Sequence, residues 1–371
     1  MQDPLPLAKA LIRRRSVTPV DDGALPLVAG WLEARGFRCT NLPFNGIGNL
    51  WATRGQGGRH LCFAGHTDVV PPGDAAWTAD PFAAEERDGI LYGRGAVDMK
   101  GAIAAFVAAL PERHPGRISF LITGDEEGPA VDGTVRVVEW LHEAGDIPDM
   151  ALVGEPTSVA ALGDTIKIGR RGSLNATLRV HGVQGHVAYP QRADNPIHRL
   201  VRVLAGLTAE PLDAGTEWFP ASSLQVTSLD APNAATNVIP AMAGARLNIR
   251  FNDLHDAASL EARLRAALDA CGARYDLACE SNAAAFVTRP GPFVDALRRA
   301  VRATTGLEPR LDTGGGTSDA RFLARICPVA ELGAVGTTMH KADECTPVEE
   351  LRGLARLYSA AITECLEAEP P

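Results

Sequence analysis

Short apolar runs alternate with helix-like stretches through the first half of the chain. Three runs are apolar at nearly every position, which predicts strands buried on both faces, and they cover residues 61–66, 118–123 and 150–154. Residues 100–110, KGAIAAFVAAL, predict a helix that ends at Pro111. Strands separated by helices are typical of a largely parallel sheet with helices on both faces. Polar residues at the carboxyl ends of these strands are therefore the first place to look for a site.

A different pattern begins near residue 172. Residues 173–182, SLNATLRVHG, alternate apolar and polar positions with a period of two, which predicts a half-exposed strand. The elements predicted after it are a helix over about 194–208, strands over 222–229 and 243–251, a helix over 256–270 and a strand over 273–280. Their β-α-β-β-α-β order is that of a ferredoxin-like unit.

An α/β pattern then returns, with a helix predicted over 292–305 and a strand over 328–336. We therefore predict an α/β main domain with a central, mostly parallel sheet, made of residues 1–171 and 285–371. A small α+β domain, residues 172–284, is inserted into it.

Composition narrows the class of protein. The 371 residues are 46% hydrophobic and 22% charged, with a formal net charge of -9, which argues against a general nucleic-acid or membrane-surface binder. The 7 cysteines include no C-x-x-C pair, so free thiols in a reducing cytoplasm fit best. The N-terminal stretch lacks the apolar segment of a signal peptide, and the longest apolar run is too short to span a bilayer.

Histidines and carboxylates follow several of the predicted strands. His66 and Asp68 lie two positions apart at a strand end, so H-x-D can supply a metal ligand and the group that orients it, although alone it also fits a surface turn. Asp98 lies in a glycine-flanked loop before a helix, where a helix-capping carboxylate is the simpler interpretation. Glu155 precedes Pro156 after a buried strand, and His340 follows the last predicted strand.

The segment TGDEEG places Asp125, Glu126 and Glu127 side by side after a buried strand. Neighbouring side chains at a strand end point in different directions, so the two glutamates need not share a role. Asp125 receives no specific role, and we expect a loop hydrogen bonder or a supporting carboxylate.

Taken together, these positions predict a metal centre. Mixed imidazole and carboxylate ligands suit Zn²⁺, and also Co²⁺ or Mn²⁺. Because one divalent ion cannot neutralise three carboxylates, the set favours two ions about 3.5–4 Å apart that share one carboxylate, as in two-metal hydrolases.

The chain resembles the M20 family of dinuclear zinc amidohydrolases and peptidases. The stretches that carry the resemblance are FAGHTDVVPPG, LYGRGAVDMKGAIAAF, LITGDEEG, ALVGEPTS, GRRGSLNATLRVHGVQGHVAYP, NVIP, GGGTSDARF and HKADEC. They span nearly the whole chain in the order that the family has. The fold implied is a zinc-hydrolase catalytic domain with an inserted dimerisation, or lid, domain.

The resemblance implies a role for each candidate ligand. His66 and Glu155 would bind one zinc ion, Glu127 and His340 the other, and Asp98 would bridge them. Asp68 would orient His66, and Glu126 would be the general acid/base. The peptide bond after the bridging aspartate is expected to be cis.

Within the family the motifs look most like those of the bacterial desuccinylases. This implies hydrolysis of N-succinyl-L,L-2,6-diaminopimelate, a step of lysine and cell-wall biosynthesis. Gly124 and Gly314 stand where these enzymes often have serine, and neither is a ligand. These departures leave the reaction class unchanged.

A substrate with several carboxylates needs cationic and N–H-rich partners. Arg171 and Arg250 are candidates, because a guanidinium grips a carboxylate with two parallel hydrogen bonds. The resemblance adds Ser173 and Tyr189 near them. The loop TGGGTSD offers backbone N–H groups and a hydroxyl to an anion, although it also fits a flexible turn; its candidate residues are Gly315, Gly316 and Thr317.

His186 lies outside the ligand set and, taken alone, reads as a surface histidine. The resemblance implies that His186 and Asn237 reach across from the partner subunit of a homodimer to stabilise the developing oxyanion. Dimerisation would occur through the inserted domain. Cys345 follows His340 closely, and we interpret it as a packed thiol.

Two alternatives remain at this point. Another M20 activity, such as that of an acetylornithine deacetylase, an aminoacylase or a carboxypeptidase, would use the same metal site. A non-catalytic zinc protein belongs to a different class, but a purely structural site does not need Glu126. The sequence has no G-x-S-x-G and no P-loop, which argues against a serine hydrolase and a P-loop nucleotide-binding protein.

Overall fold

A computed structural model describes residues 1–367 of the chain. The chain divides into two compact units. The first unit comprises residues 1–169, 288–312 and 318–371, and the second comprises 170–287 and 313–317. The last predicted segment, 285–371, ends outside the described residues.

Helices and strands alternate along most of the described chain. The helices are α1 Leu5–Ile12, α2 Ala24–Glu33, α3 Lys100–Ala109, α4 Thr134–Ala144, α5 Pro196–Thr208, α6 Ala257–Ala270, α7 Pro292–Thr305, α8 Ala320–Leu323 and α9 Val348–Glu367, with 3-10 turns at Pro190–Arg192 and Gly336–Thr338. The strands are β1 Arg38–Asn41, β2 Asn49–Arg54, β3 His60–His66, β4 Glu86–Arg87, β5 Ile90–Tyr92, β6 Arg117–Thr123, β7 Met150–Val153, β8 Thr165–Lys167, β9 Gly169–Arg170, β10 Gly172–His181, β11 Gly185–His186, β12 Ser223–Asp230, β13 Val238–Ile239, β14 Met242–Phe251, β15 Arg274–Ala283, β16 Phe286–Val287, β17 Arg310–Asp312, β18 Val329–Glu331 and β19 Cys345–Pro347.

The first unit contains an eight-stranded mixed sheet in the order β1-β2-β6-β3-β7-β18-β8-β17. The central strands β6, β3, β7 and β18 run parallel to their neighbours within this set. Every residue of β3 and β7 is buried, as expected for parallel strands that are covered on both faces. The three apolar runs of the first half therefore form adjacent strands of one sheet.

The edges of this sheet depart from the prediction. Strands β1 and β2 pair antiparallel with each other, β2 pairs antiparallel with β6, and β8 pairs antiparallel with β18. The sheet is therefore mixed, with its parallel part confined to the centre and one outer pair. The strand predicted over 328–336 is also shorter than expected, because β18 ends at Glu331 and the chain turns away into a loop.

Helix α3 accounts for much of the packing behind the sheet. All of its residues are buried, which explains why its sequence is apolar all round. Phe106 from α3 stacks on Phe63 of β3 at a centroid distance of 4.2 Å, and Phe120 and Tyr358 meet this pair edge-on or tilted at 5.3–5.7 Å. This aromatic cluster holds the helix that follows Asp98 against the strand that ends at His66.

The second unit has the β-α-β-β-α-β order that the sequence predicts. Its four-stranded sheet runs in the order β12-β14-β10-β15, and all neighbouring pairs are antiparallel. Strand β10 alternates buried and exposed residues, so one face of the sheet meets a core and the other does not. Leucines from α5 and α6 fill that core, including Leu200, Leu204, Leu260 and Leu264.

Among the described residues, no helix is both long enough and apolar enough to cross a membrane.

Candidate metal centre

Three adjacent parallel strands bring most of the candidate residues to one edge of the sheet. His66 is the last residue of β3, residues 125–127 follow the end of β6, and Glu155 follows the end of β7. Strand β3 lies between the other two, so all three carboxyl ends meet at the same place. This is the convergence that the sequence predicts for polar residues after buried strands.

Asp98 and His340 come from loops. Asp98 lies just before α3, and the peptide bond between Asp98 and Met99 is cis, as the resemblance implies. His340 follows the 3-10 turn Gly336–Thr338 and has a left-handed φ of 60°. Neither position belongs to a strand end, so only the fold brings these two side chains together with the others.

Asp98 lies between the two histidines. Its Oδ1 is 3.2 Å from Nε2 of His66, and its Oδ2 is 3.3 Å from Nε2 of His340. His66 Nε2 also lies 3.6 Å from Glu155 Oε1, and His340 Nε2 lies 2.8 Å from Glu127 Oε1. The residues thus form two histidine–carboxylate pairs joined by one carboxylate, which is the arrangement that a shared ligand of two ions requires.

The donor set fits divalent cations of the zinc type. Donor atoms of His66, Asp98 and Glu127 lie within 4.8 Å of one another, and so do those of His66, Glu126 and Glu155. These residues are buried or partly buried, and they combine imidazole nitrogen with carboxylate oxygen. The residues present therefore fit a metal centre.

The ring of His66 is oriented by the backbone of Asp68. His66 Nδ1 donates a hydrogen bond of 2.9 Å to the carbonyl oxygen of Asp68, which leaves Nε2 as the nitrogen that faces Asp98. The Asp68 carboxylate lies farther from the ring, at 3.7 Å from Nδ1. It accepts backbone N–H groups of Glu126 at 3.3 Å and Glu127 at 3.0 Å. Asp68 therefore fixes both the histidine and the glutamate doublet.

The histidines and carboxylates of the centre shift one another's pKa values. Burial alone would lower the pKa of His66, but its hydrogen bond to Asp98 and the nearby charges of Glu126 and Glu155 raise that pKa well above its usual range. Hydrogen bonds to Asp98 and Glu127 raise the pKa of His340 to about 10. Burial raises the pKa of Asp98, but hydrogen bonds to both histidines outweigh it and hold that pKa well below its usual range. The neighbouring carboxylates thus favour the protonated form of both histidines.

Glu126 and Glu127 have different surroundings, as adjacent residues at a strand end should. Glu127 contacts His340, whereas the Glu126 carboxylate lies near His66 and Glu155. Burial, and then the charge of Glu155, raise the pKa of Glu126 well above its usual range. A carboxyl group placed this way is suited to take up and release a proton.

Asp125 is a loop hydrogen bonder. Its Oδ2 accepts the N–H groups of Val131 at 2.9 Å and Asp132 at 3.0 Å, and its own N–H donates to the Thr123 hydroxyl at 3.2 Å. Asp125 is buried and ties down the loop that follows the glutamate doublet. The first of the two roles expected for it is therefore the one observed.

Asp319 is a buried carboxylate near the centre that the sequence analysis passed over. Burial raises its pKa to about 6, although Arg321 opposes this shift, and its charge interacts with those of Glu126, His66 and Asp68. Its signal in the sequence is weak, because Asp319 follows the glycine loop TGGGTSD and neither precedes nor ends a predicted strand.

The second unit holds the remaining predicted residues. His186 lies on the two-stranded ribbon β11–β13, and Asn237 directly precedes β13. Both residues are exposed, and the N–H of Val187 donates to the carbonyl of Asn237 at 3.0 Å. Tyr189 is exposed and its ring centroid lies 5.8 Å from that of His186. An exposed imidazole and phenol therefore lie close together, and the backbone of Asn237 is bonded to the residue after His186.

Ser173 and Arg250 are direct cross-strand partners on β10 and β14. Nε of Arg171 is buried and has no hydrogen-bond partner among the described residues. The glycine loop is held by a residue that the prediction omits, because Nη1 of Arg170 donates to the carbonyls of Gly314 at 3.4 Å and Gly316 at 3.3 Å. Gly315 has a φ of 102°, and a Cβ there would lie 2.5 Å from the Arg170 guanidinium, so the loop needs glycine at this position.

Comparisons with known proteins show the family of the chain. The family model described as "Peptidase family M20/M25/M40" matches residues 62–364. A succinyl-diaminopimelate desuccinylase of Acidiphilium cryptum (strain JF-5) is 60% identical over 361 residues, covering 96% of each chain. A relative of the same name in Granulibacter bethesdensis is 58% identical and covers 98% of each chain.

Solved structures show the same fold at low identity. The aminopeptidase PepT of Bacillus cereus has a TM-score of 0.80 with 20% identity and covers 98% of each chain. A dinuclear metal-binding peptidase of the M20 family from Bacillus subtilis, the YXEP protein, has a TM-score of 0.75 with 16% identity and covers 98% of each chain. From the family match and the full-length relatives together, the chain is an enzyme of peptidase family M20/M25/M40, a metal-dependent family.

Proposed function

We propose that this enzyme hydrolyses the amide bond of N-succinyl-L,L-2,6-diaminopimelate to succinate and L,L-2,6-diaminopimelate, a step of lysine and diaminopimelate biosynthesis. The observation that carries the reaction class is the pair of histidines joined by Asp98, with Glu126 beside them. The substrate follows from the relatives, several of which carry the desuccinylase name at 55–60% identity over nearly the whole chain.

Two Zn²⁺ ions per subunit are part of the proposal, with Co²⁺ as a substitute. His66 and Glu155 would hold one ion, His340 and Glu127 the other, and Asp98 would be shared. When bound, such ions polarise the amide carbonyl and lower the pKa of water, which supplies a nucleophile at neutral pH.

Glu126 carries the proton in this scheme. Its carboxylate accepts a proton from the attacking water and then donates it to the nitrogen of the leaving amine. This role requires the ionised form at the start, and cations held by His66, Glu155, Glu127 and His340 would favour that form in spite of the burial. Asp68 supports the step, because its contacts to the N–H groups of Glu126 and Glu127 fix the backbone of the doublet.

Residues of the second unit are proposed to recognise the substrate. Arg171 and Arg250 suit carboxylates, with Ser173 and Tyr189 as hydrogen-bonding neighbours. The glycine loop adds the N–H groups of Gly315 and Gly316 and the Thr317 hydroxyl. The contacts of Arg170 with this loop support the proposal, because they hold a glycine-rich segment in one conformation.

We further propose a cytoplasmic homodimer formed through the second unit, in which His186 and Asn237 serve the partner subunit as oxyanion stabilisers. The exposure of both side chains supports this role. The edge strand β12 exposes Val226 and Leu229, and an uncovered edge of this kind is suited to pairing with another chain. The cytoplasmic location is supported by the free state of all the cysteines.

Steady-state kinetics test the substrate directly. The zinc-loaded enzyme is assayed on N-succinyl-L,L-2,6-diaminopimelate, N-acetylornithine and an N-acyl amino acid. We expect a kcat/KM on the succinyl substrate that exceeds the others by about a hundredfold or more, since a built polar site rejects analogues that leave its groups unpaired. A larger kcat/KM for acetylornithine would move the assignment to another M20 activity, and no hydrolysis of any of them would favour the non-catalytic alternative.

A further inference from the structure

Glu344 is a buried glutamate on the segment that follows His340, and it lies outside the set of candidate ligands. Its side chain is 0% exposed. Oε1 accepts three backbone N–H groups, from Gly95 at 3.1 Å, Val97 at 2.9 Å and Asp98 at 3.1 Å. One carboxylate oxygen therefore organises the backbone of the loop that presents Asp98.

The other oxygen of Glu344 pairs with Arg94. Nη1 of Arg94 donates to Glu344 Oε2 at 2.7 Å, and Arg94 is only 1% exposed. The same guanidinium donates to the carbonyl of Lys341 at 3.2 Å, to that of Pro71 at 3.3 Å and to that of Pro72 at 3.4 Å. Both charges are thus buried, paired and supplied with several further hydrogen bonds.

The pair connects three segments that each carry candidate ligands. Pro71 and Pro72 follow His66 and Asp68, the loop 93–98 ends at Asp98, and Lys341 and Glu344 follow His340. A backbone bond adds to this connection, since the N–H of Gly93 donates to the carbonyl of Glu344 at 2.9 Å. We refer to Arg94 and Glu344 as the loop clamp.

We propose that Glu344 is a positioning residue of the metal centre, which acts through the loop clamp to hold Asp98 between His66 and His340. The proposal rests on the metal centre of the proposed function. Asp98 can serve two ions only if its two oxygens face the two histidines at once, and that orientation is set by the backbone that Glu344 holds. Residues that orient ligands in this way contribute to metal affinity although they never touch the ion.

Glu344→Gln is the most specific variant. Glutamine has nearly the same shape, and its amide oxygen can still accept the three N–H groups. Its amide nitrogen then faces the Arg94 guanidinium, which loses its carboxylate partner and stays buried. We therefore expect the loop to shift rather than the fold to fail.

The matched control is Asp146→Asn. Asp146 also pairs with an arginine, because its two oxygens lie 2.5 and 2.8 Å from Nη1 and Nη2 of Arg117. Arg117 begins β6, whereas the candidate ligands follow the end of that strand. This variant removes a carboxylate charge from an arginine pair without touching the ligand loops.

The experiment titrates metal-free full-length protein with Co²⁺ and follows the visible absorption of the bound ion, with thermal unfolding of each metal-free variant as a check on the fold. For Glu344→Gln we expect a Kd for Co²⁺ raised by about 10- to 100-fold and an altered absorption spectrum. Asp146→Asn should keep the wild-type Kd and spectrum. A folded Glu344→Gln protein with wild-type Kd and spectrum would overturn the proposal.

If Glu344→Gln does not fold, Arg94→Lys tests the loop clamp instead. Lysine keeps the charge and leaves the three N–H contacts of Glu344 in place, but it cannot reach all the carbonyls that the guanidinium bonds. A raised Kd for Co²⁺ in this variant supports the clamp, and a wild-type Kd overturns it. The readout is Co²⁺ binding and not activity. A wild-type enzyme that binds Co²⁺ but does not hydrolyse the succinyl substrate would refute the proposed function. The role of the loop clamp in Co²⁺ binding could still be tested in that case.

Discussion

The two compact units bury their sheets in different ways, and their candidate residues differ accordingly. All 7 residues of β3 in the first unit are buried, whereas β10 in the second unit alternates buried and exposed positions. His66 is 1% exposed, but His186 lies on an exposed ribbon. Four of the five candidate ligands in the first unit are thus buried or half-buried, with His340 as the exposed one, whereas the second unit places His186, Asn237 and Tyr189 on the surface.

The difference reflects what each set of residues must do. Ligands of an ion need fixed positions, and in the first unit buried partners hold two of them, the Asp68 carbonyl on His66 and the Glu344 carboxylate on the loop of Asp98. Residues that recognise a substrate need access, and the second unit keeps its imidazole, amide and phenol open to solvent. Substitutions should therefore separate metal binding from substrate handling.

Glu126→Gln should give the largest effect. Removing the group that carries the proton is expected to lower kcat by about a thousandfold, within the range for general acid–base catalysis, while the bound metal stays at the wild-type level. The measurement is kcat together with metal content by mass spectrometry. Glu143→Gln, an exposed residue of α4, is the control and should behave as wild type. Full activity in Glu126→Gln with two ions bound would contradict its assigned role.

His186→Ala tests the second unit. Loss of an oxyanion donor is expected to lower kcat by about a hundredfold, with metal content unchanged. If the histidine serves the partner subunit, co-expression of His186→Ala with Glu126→Gln restores one of the two sites in each mixed dimer. Since random pairing makes about half of the dimers mixed, the whole preparation should reach about a quarter of wild-type activity. Mixed dimers as inactive as the single variants would show that His186 does not act across subunits.

The pH dependence of Co²⁺ binding should be set by the histidines of the first unit and not by those of the second. His340 has a pKa raised to about 10 in the metal-free centre and the pKa of His66 is also raised, so each ion must displace protons. Affinity should therefore weaken as pH falls, by about tenfold per pH unit for each proton displaced below these pKa values. Competition titrations from pH 6 to 8 measure this slope. His186→Ala should leave the slope unchanged, and a flat profile for the wild type would mean that no proton is displaced.

A core substitution in the second unit should have the smallest effect on the metal. Leu178 is 1% exposed, so Leu178→Ala leaves a cavity and should lower the free energy of unfolding by about 2–5 kcal/mol. Co²⁺ affinity of the folded protein should stay at the wild-type value. The control Val201→Ala, at an exposed position on α5, should change stability by at most about 0.5 kcal/mol in urea unfolding. A loss of Co²⁺ affinity in Leu178→Ala would show that metal binding in the first unit depends on the core of the second.

Much of this arrangement could be predicted from local pattern. The buried strands that end at His66 and Thr123 are apolar at nearly every position, and the residues after them lie together because parallel strands end at one edge. The fold of the second unit could also be predicted, since its alternation of apolar and polar residues and its element order define a half-buried antiparallel sheet.

Other features depend on contacts between residues far apart in the sequence, which no local pattern predicts. The loop clamp joins Arg94 to Glu344 across the chain, and nothing near either residue indicates its partner. Asp319 likewise lies near the centre only because of the fold, and no local pattern indicates it. The antiparallel edges of the sheet also escaped prediction, because the short strands β1 and β8 carry too few residues for a clear period.

Stepwise metal reconstitution tests the central claim most directly. Metal-free enzyme is titrated with Zn²⁺ while hydrolysis of N-succinyl-L,L-2,6-diaminopimelate and bound zinc are followed in the same samples. The account predicts negligible hydrolysis without zinc and full activity at about two ions per subunit, as a carboxylate shared by two ions implies. Activity that survives complete removal of metal, or two bound ions with no hydrolysis, would contradict it.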